Sequence, residues 1–531
     1  MPVTTHSAVL DSPVAVARET ILSRSTLLRL AALTPAVLLI HGYHPFADDA
    51  GIYVAGIRKL LNPALFQPDA PFVLANTHLS VFAHLMAEVV RVTHLPLAVV
   101  LLATHLASIY VFLLASWSVA SRVFPRAAER WFAVAFAAAC FTMPAAGTAL
   151  ALMDPYVTSR SFSTPIGLFA VAAVIDRRWT RAAVFVVLVG LMHPLMVLFA
   201  AAFMLIYAVV DSGHPRMAIL LGAAGVVAAG LVALATRHIP VSPAYFEAIH
   251  SPARNFLFPA RWKWYQDFGL AAPVALFALA ASRSDAASRV RKLCLSCVVL
   301  GVSSGLAAFL FVHPSGPYLL ARVQILRSFH ILYLLGVLLL GGWLGRVLWY
   351  RRSTRWVAFV PLAIAAGGLF AAQRATYPLS AHIEWPGMRP RNAWVQAYRW
   401  IRNNTPANAI FAANPDLVRI DGVDMQGFRA TTARSILADD KDQGVAAVVK
   451  PSIAGVWAAQ RNAQVGLDNM SDQERIARLK PFGVTWLLLP SSAATNFPCP
   501  FENAVAKVCR MDPPSGQLLR VATPFGCATG R

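Results

Sequence analysis

Residues 41–72 read HGYHPFADDAGIYVAGIRKLLNPALFQPDAPF and follow directly on the first long apolar segment of the chain. Two adjacent carboxylates, Asp48 and Asp49, open a segment in which Ile52, Tyr53, Ile57, Leu60 and Leu61 recur at helical spacing, with Arg58 and Lys59 opposite. Asn62-Pro63 ends that helix, because the residue before a proline is pushed out of helical conformation. A second stripe, Leu79, Phe82, Ala83, Met86 and Val90, predicts a helix over 76–92. Both helices are expected to lie in a membrane interface. The next apolar run begins near Leu95. Residues 42–95 are thus a long loop between two spans, and an acid pair placed there points to chemistry at the membrane surface.

The surrounding composition is that of a membrane protein. Hydrophobic residues make up 57% of the chain, charged residues 13%, and the mean hydropathy is +0.57, where a soluble domain carries about 25% charged residues. Apolar segments fall at 27–41, 96–121, 131–151, 162–175, 182–210, 217–237, 270–282, 293–312, 328–349 and 356–373. The fifth exceeds the roughly 20 residues that one crossing needs. His193-Pro194 sits at its middle, and proline cannot continue the helical ladder. Either two short helices meet at a tight turn there, or one helix is kinked. Loop charge chooses the first. With the N-terminus cytoplasmic and 182–210 counted as two passes, eighteen Lys/Arg fall inside and ten outside, the inner ones in short loops. The expected layout is an all-α polytopic membrane protein of about eleven spans, with a cytoplasmic tail at 1–25 and the membrane domain at 26–373. An extracytoplasmic α/β domain follows at 374–531. No small-x-small cleavage site follows LLRLAALTPAVLLI, so the first segment reads as an uncleaved span.

A net charge of +21 on a soluble chain would suggest nucleic acid. Here the basic residues cluster in short loops between apolar segments, and no nucleic-acid module is present, so nucleic acid is not an expected partner. Of six cysteines, Cys140, Cys294 and Cys297 lie inside apolar runs and read as core residues. Cys499, Cys509 and Cys527 lie in the polar tail, where one disulfide with one thiol left over is expected outside the cytoplasm. Within the tail, 392–404 reads as an amphipathic helix, and 409–413 and 484–490 as buried strands. Ser471 with Glu474 three residues on reads as a helix N-cap. Residues 505–510 and 517–522 read as a hairpin.

Several polar residues fall on the outer loops of this layout. Asp48 and Asp49 suit a general base or a cation site, and equally the start of a helix, where carboxylates meet free N–H groups. Successive side chains diverge, so one of the two is expected to point into a given site. Asp154 and Arg160 share the loop MDPYVTSR; Arg160 is placed to clamp a phosphate, to snorkel, or to pair with Asp154. Gln324, Arg327 and His330 recur at intervals of three and are expected to run down one side of a helix. Arg254, Arg261 and Lys263 are interleaved with aromatic rings in RNFLFPARWKWYQD, a pattern that fits a phosphate-binding lip or an interfacial aromatic belt. His193 reads chiefly as a polar residue closing a turn.

The chain resembles the GT-C superfamily of polytopic membrane glycosyltransferases. The resemblance rests on the long first external loop with its acidic pair, the paired segments SRSFSTPIGLFAVAAVIDRRW and GLMHPLM, the external QxxR segment, and the tail entered by AYRWIRNNTPANAIF. It implies transfer of a sugar from a polyprenyl-phosphate carrier to a lipid or glycan hydroxyl outside a bacterial cytoplasmic membrane. It implies Asp48 or Asp49 as the base, sometimes with a divalent metal such as Mg or Mn held by those acids. Arg160, Arg254, Arg261 and Arg327 become donor-phosphate candidates, with Asp154, His193, Lys263 and Gln324 in the wider binding set. These acids are adjacent, whereas many members use an acid-x-acid spacing. Membrane lipids are expected partners and a monomer the expected form. Rival readings are a transporter or flippase of an anionic substrate, and a non-catalytic scaffold.

Overall fold

The computed structural model describes residues 23–350, 353 and 355–511. The chain enters through α1 (Arg24–His41), whose N-cap Ser23 accepts a hydrogen bond from the Thr26 N–H. The first loop then folds into α2 (Asp49–Leu61), α3 (Ala70–Thr77) and α4 (Phe82–Thr93). Beyond it run α5 (Leu97–Val123), α6 (Ala127–Ala139), α7 (Arg160–Ile175), α8 (Trp179–Met192), α9 (Pro194–Asp211) and α10 (Pro215–Thr236). The short α11 (Pro243–His250) precedes α12 (Trp264–Ser282) and α13 (Arg289–Phe311), and the short α14 (Tyr318–Val323) precedes α15 (Phe329–Leu344) and α16 (Phe359–Thr376).

Among the described residues, six helices are long and apolar enough to cross a membrane: α5, α9, α10, α13, the run from Tyr318 to Trp349, and α16. Counting the bent pair α3 and α4 as one span makes seven. The expected eleven are therefore not shown. Five expected spans fall short, for two reasons. Helices α6, α7 and α8 have 13, 16 and 14 residues, less than the about 20 that a bilayer requires. Helices α1 and α12, with 18 and 19 residues, carry polar first turns and are not apolar enough. At the centre of the expected long fifth segment, His193 is extended (φ −150°, ψ 98°) and Pro194 opens α9, so two helices meet there.

Two expectations about the first loop are corrected. The helix foreseen over 76–92 is split, and α3 and α4 meet at 97°. Nor does α2 lie in an interface. Ala50, Gly51, Ile52, Val54, Ala55, Gly56 and Ile57 are all buried, because α2 is wrapped by α3, α4 and the C-terminal module.

That module begins with α17 (Ala393–Asn404), capped by Asn392 Oδ1, which accepts from the Trp394 N–H at 2.9 Å. It continues through β1 (Ile410–Ala412), α18 (Phe428–Thr432), β2 (Ser435–Ile436), α19 (Asp442–Val449), α20 (Ala454–Gln464), α21 (Asp472–Leu479), β3 (Trp486–Pro490), β4 (Phe501–Glu502) and β5 (Ala506–Arg510). The five strands form one mixed sheet in the order β2-β1-β3-β5-β4, parallel from β2 to β3 and antiparallel beyond. Alternation along β3 sends Trp486 and Leu488 into one apolar cluster and Leu487 and Leu489 into another, so both faces of the sheet are covered. The hairpin expected from 505–510 and 517–522 is corrected in part: β5 pairs with β3 and β4, and 517–522 lie outside the described residues, as does Cys527. Cys499 is bonded to Cys509.

The module is not an appendage. Ala446, Ala447 and Trp457 of α19 and α20 belong to the same buried apolar cluster as the helices of the membrane body. Hydrogen bonds tie the two further: the Tyr43 N–H to the His382 carbonyl at 2.9 Å and the Asp48 N–H to the Met425 carbonyl at 2.9 Å. A guanidinium N–H of Arg322 reaches the Val449 carbonyl at 2.8 Å. The loops between spans that read as external thus gather against the module at one end of the molecule.

Candidate active site

Asp48 starts α2 from an unusual backbone conformation, φ 47° and ψ −127°. An L-residue there is strained, and such strain persists only where the surroundings hold it. Two features hold it. The Asp48 N–H is fixed to the Met425 carbonyl, and Gly51 lies so close to Gly427 of the module that a Cβ on Gly427 would fall 2.7 Å from the Gly51 Cα. Asp48 makes no side-chain cap hydrogen bond to α2, so the capping role open to it in the sequence is not what its carboxylate does. The bend instead brings the two carboxylates together. Asp48 Oδ1 and Asp49 Oδ1 both meet Lys441 Nζ, at 3.1 Å for Asp49. The expectation that only one acid would enter the site is overturned, because a left-handed residue between helix and loop cancels the usual divergence.

The second oxygen of each acid is also engaged. Asp48 Oδ2 accepts from the Tyr156 hydroxyl at 2.9 Å, and Asp49 Oδ2 accepts from Arg160 Nη1 at 3.0 Å. Arg160 donates on to Asp154 Oδ2 from Nε at 3.2 Å and from Nη2 at 2.9 Å. Tyr53, one turn along α2, shares a hydrogen bond with Ser159 at 2.8 Å. An acid–arginine–acid chain therefore runs from the first loop to the second, and Lys441 crosses to it from the module.

Electrostatics follow from that packing. Burial works to raise the Asp49 carboxyl, but Lys441 and then Arg160 outweigh it and hold Asp49 well below the usual carboxylate range. Burial alone would release the Lys441 proton, and Asp48 and Asp49 reverse this, keeping the ammonium above the ordinary lysine range. Next to it Asp442 is pushed up to about 8, by burial first and by Asp439 second.

The remaining candidates divide into two groups. Arg327 lies close enough to Asp49 for its charge to act on it, and its buried Nε has no hydrogen-bond partner. His193 is within reach of the charges of Arg160, Arg327 and Asp49, with a buried Nδ1 likewise unpartnered. Gln324 is left-handed (φ 53°, ψ 53°) with a buried, unpartnered Oε1, and with Arg327 it lines a small cavity against Phe256 and Leu257. This corrects the expected continuous helix: the chain breaks at Gln324, 325–328 form a 3-10 turn, and α15 starts only at Phe329. His330 Nε2 then donates to the Leu152 carbonyl at 3.0 Å.

Arg254, Arg261 and Lys263 are elsewhere. Arg254 is buried against the module, with Nη1 on the Asp440 carbonyl at 2.7 Å and Nη2 on Asp440 Oδ1 at 3.1 Å. It anchors the residue before Lys441 and so positions that lysine. Arg261 donates to the His250 carbonyl at 3.2 Å and sits over the Phe258 ring, and Lys263 sits exposed over Tyr265. Both belong to the aromatic rim and not to the acid cluster.

The donor set around the acids does not fit Mg or Mn. Cationic side chains already occupy the oxygens of Asp49, and among the described residues no group of three or more His, Cys, Asp or Glu is arranged to hold a metal. Sequence reasoning missed Lys441 and Tyr156. A signal existed for the first in ADDKDQG, residues 438–444, where three acids surround one lysine in an otherwise basic tail.

No family model and no curated protein sequence matches the chain. Among solved structures, similarity is found to an archaeal oligosaccharyltransferase, AglB from Archaeoglobus fulgidus, in complex with an inhibitory peptide and a dolichol-phosphate. The two are 12% identical, the match covers 88% of this chain and 69% of that one, and the TM-score is 0.38.

Proposed function

We propose that this chain is a membrane glycosyltransferase that moves a sugar from a polyprenyl-phosphate carrier to a lipid or glycan hydroxyl at the outer face of a bacterial cytoplasmic membrane. The observation that carries the reading is the convergence of Asp48, Asp49, Arg160 and Lys441 from three distant parts of the chain onto one half-buried cluster. A disulfide in the module fits an extracytoplasmic location. One chain supplies the whole cluster, so a monomer suffices.

In this mechanism the acceptor oxygen attacks the anomeric carbon, the bond from that carbon to the phosphate oxygen breaks, and the acceptor proton passes to a carboxylate. Asp48 is the assigned base. Asp49, held ionised by two cations, is too weak a base and serves to fix Arg160 and Lys441. Arg160, Arg327 and Lys441 stabilise the charge gathering on the departing phosphate. A donor phosphate drawing Lys441 toward itself would free the Asp48 carboxylate at the moment it is needed.

The test is transfer of a radiolabelled sugar from a polyprenyl-phosphate donor in membranes carrying the full chain. Asp48→Asn is expected to lower the turnover about 100-fold or more. Wild-type transfer by both Asp48→Asn and Asp49→Asn, with normal protein levels, would end this reading.

A further inference from the structure

Beside α2, a second and larger cleft opens between the first loop, from Pro45 and Phe46 to Arg58, the head of α5 and the module. It spans about 1250 Å³, the open space at its mouth included. Five arginines line it: Arg58, Arg389, Arg391, Arg399 and Arg402; Glu384 is the one acid among the lining residues. That glutamate is already committed, to His44 Nδ1 at 2.8 Å and Gln426 Nε2 at 3.0 Å.

The arginines are not neutralised. Arg58 donates Nε to the Ala430 carbonyl at 2.7 Å, and Arg399 donates to the Met388 carbonyl at 2.7 Å. Neither touches a carboxylate among the described residues. Among the described residues, the side chains of Arg389, Arg391 and Arg402 form no ion pair. Burial first, and then the charge of Arg402, pull the Arg58 guanidinium below its ordinary range, as expected of a cation that lacks a counter-ion. A protein that keeps five guanidinium groups around one cleft with a single committed acid leaves room for an anion. Guanidinium forks match phosphate oxygens bidentately.

The mouth gives the setting. Pro96, Leu97 and Ala98 line it at the start of the candidate span α5, and Trp385 and Met388 are exposed beside the arginines. Apolar and basic groups therefore alternate where a bilayer surface would begin.

We infer that this cleft is an anion-binding site, taking a phosphate or pyrophosphate group, with Trp385 and Met388 beside it to receive an attached chain where the ligand carries one. The cleft differs from the acid pair in its lining: none of Asp48, Asp49, Tyr156, Arg160 and Lys441 lines it, and Arg58 stands nine residues along α2 from Asp49, roughly 14 Å at the helical rise. It does not rest on the glycosyltransferase reading. The anion comes either from a lipid headgroup or from a soluble phosphate, and the test separates the two.

Full-length protein in neutral detergent is titrated with inorganic pyrophosphate by calorimetry, and phosphatidylglycerol retention over phosphatidylcholine is read by native mass spectrometry. The variants are Arg389→Gln with Arg391→Gln, both on exposed positions, and separately Arg402→Gln. A control, Arg478→Gln with Lys480→Gln, removes two exposed charges that do not line the cleft. Saturable binding of either probe, weakened at least tenfold by the cleft variants and unchanged in the control, is expected. Pyrophosphate alone binding identifies a soluble anion; phosphatidylglycerol alone identifies a headgroup; displacement of one by the other identifies one site for both. Binding of neither probe overturns the inference. So does equal binding by wild type and cleft variants, or an equal loss in the control, which marks general surface charge.

Discussion

Lys441 is the residue on which the acid pair depends. Without it, two adjacent carboxylates face each other in a partly dehydrated pocket balanced by Arg160, a phenol and the more distant charge of Arg327. Lys441→Met is expected to cost about 2 kcal/mol, seen as a lowered thermal midpoint in detergent, and Asp48→Asn in the same background should restore part of it. Its neighbour Asp442 sets a pH dependence. The folded carboxyl titrates near 8 and the unfolded one in the ordinary range. Between those values the folded state binds the extra proton, so stability is greatest at low pH and declines as pH rises through that window. Asp49 acts in the opposite sense: held ionised, it contributes stability at neutral pH that is lost as the medium becomes acid enough to protonate it. Asp439 beside it is raised as well, so Asp442→Asn should reduce the decline between about pH 5 and pH 8, and a midpoint that still falls equally across that range would refute the assignment.

At the scale of elements, the decisive junction is α2 against the module. Gly427 has no unusual φ, so its glycine is required by space alone: an added Cβ meets the Gly51 Cα at 2.7 Å and the Phe46 carbonyl oxygen at 3.1 Å. Gly427→Ala is therefore expected to destabilise by about 1–3 kcal/mol and to reduce transfer, by lifting α2 and its strained Asp48 off the module. Gly167→Ala, inside α7 where a Cβ meets nothing within 4 Å, is the clash-free comparison and should not destabilise. Within the module, Cys499–Cys509 closes a short loop beside β5. Its reduction should cost about 2–3 kcal/mol by the chain-entropy relation, measured as a midpoint shift with and without reductant.

Across the whole molecule, the membrane body and the module are joined by buried charges. Arg254 and Asp440 are almost fully buried, and Asp440 also takes Arg419 at 3.1 Å and the Ser251 hydroxyl. Asp69 of the first loop pairs with buried Arg429 of the module. Losing one partner strands the other charge away from water, which is costly. Arg254→Leu is expected to loosen the module by about 3 kcal/mol, read as faster limited proteolysis between α16 and α17. Unchanged cleavage would show that the apolar seam around Trp457 and the remaining ties hold the two parts without the Arg254–Asp440 pair. The same junction carries function on the proposed reading, since Lys441 is positioned through Asp440 and Arg254.

The sequence by itself determined the membrane character, the places of the apolar helices, the amphipathic helix from about 392 to 404, the strands at 410–412 and 486–490 and the cap at Ser471, because periodicity and capping are local properties. It also marked Asp48, Asp49, Asp154 and Arg160, since charges beside apolar spans stand out in composition. It did not reveal that Asp48 turns left-handed, that Gln324 breaks a helix, or that Arg254 is consumed by Asp440. Nor did it show that a lysine nearly four hundred residues downstream closes the acid pair. Those outcomes are set by the docking of the module onto the first loop. Ion pairing and close backbone approach depend on which distant surfaces meet, and no window of sequence contains both partners.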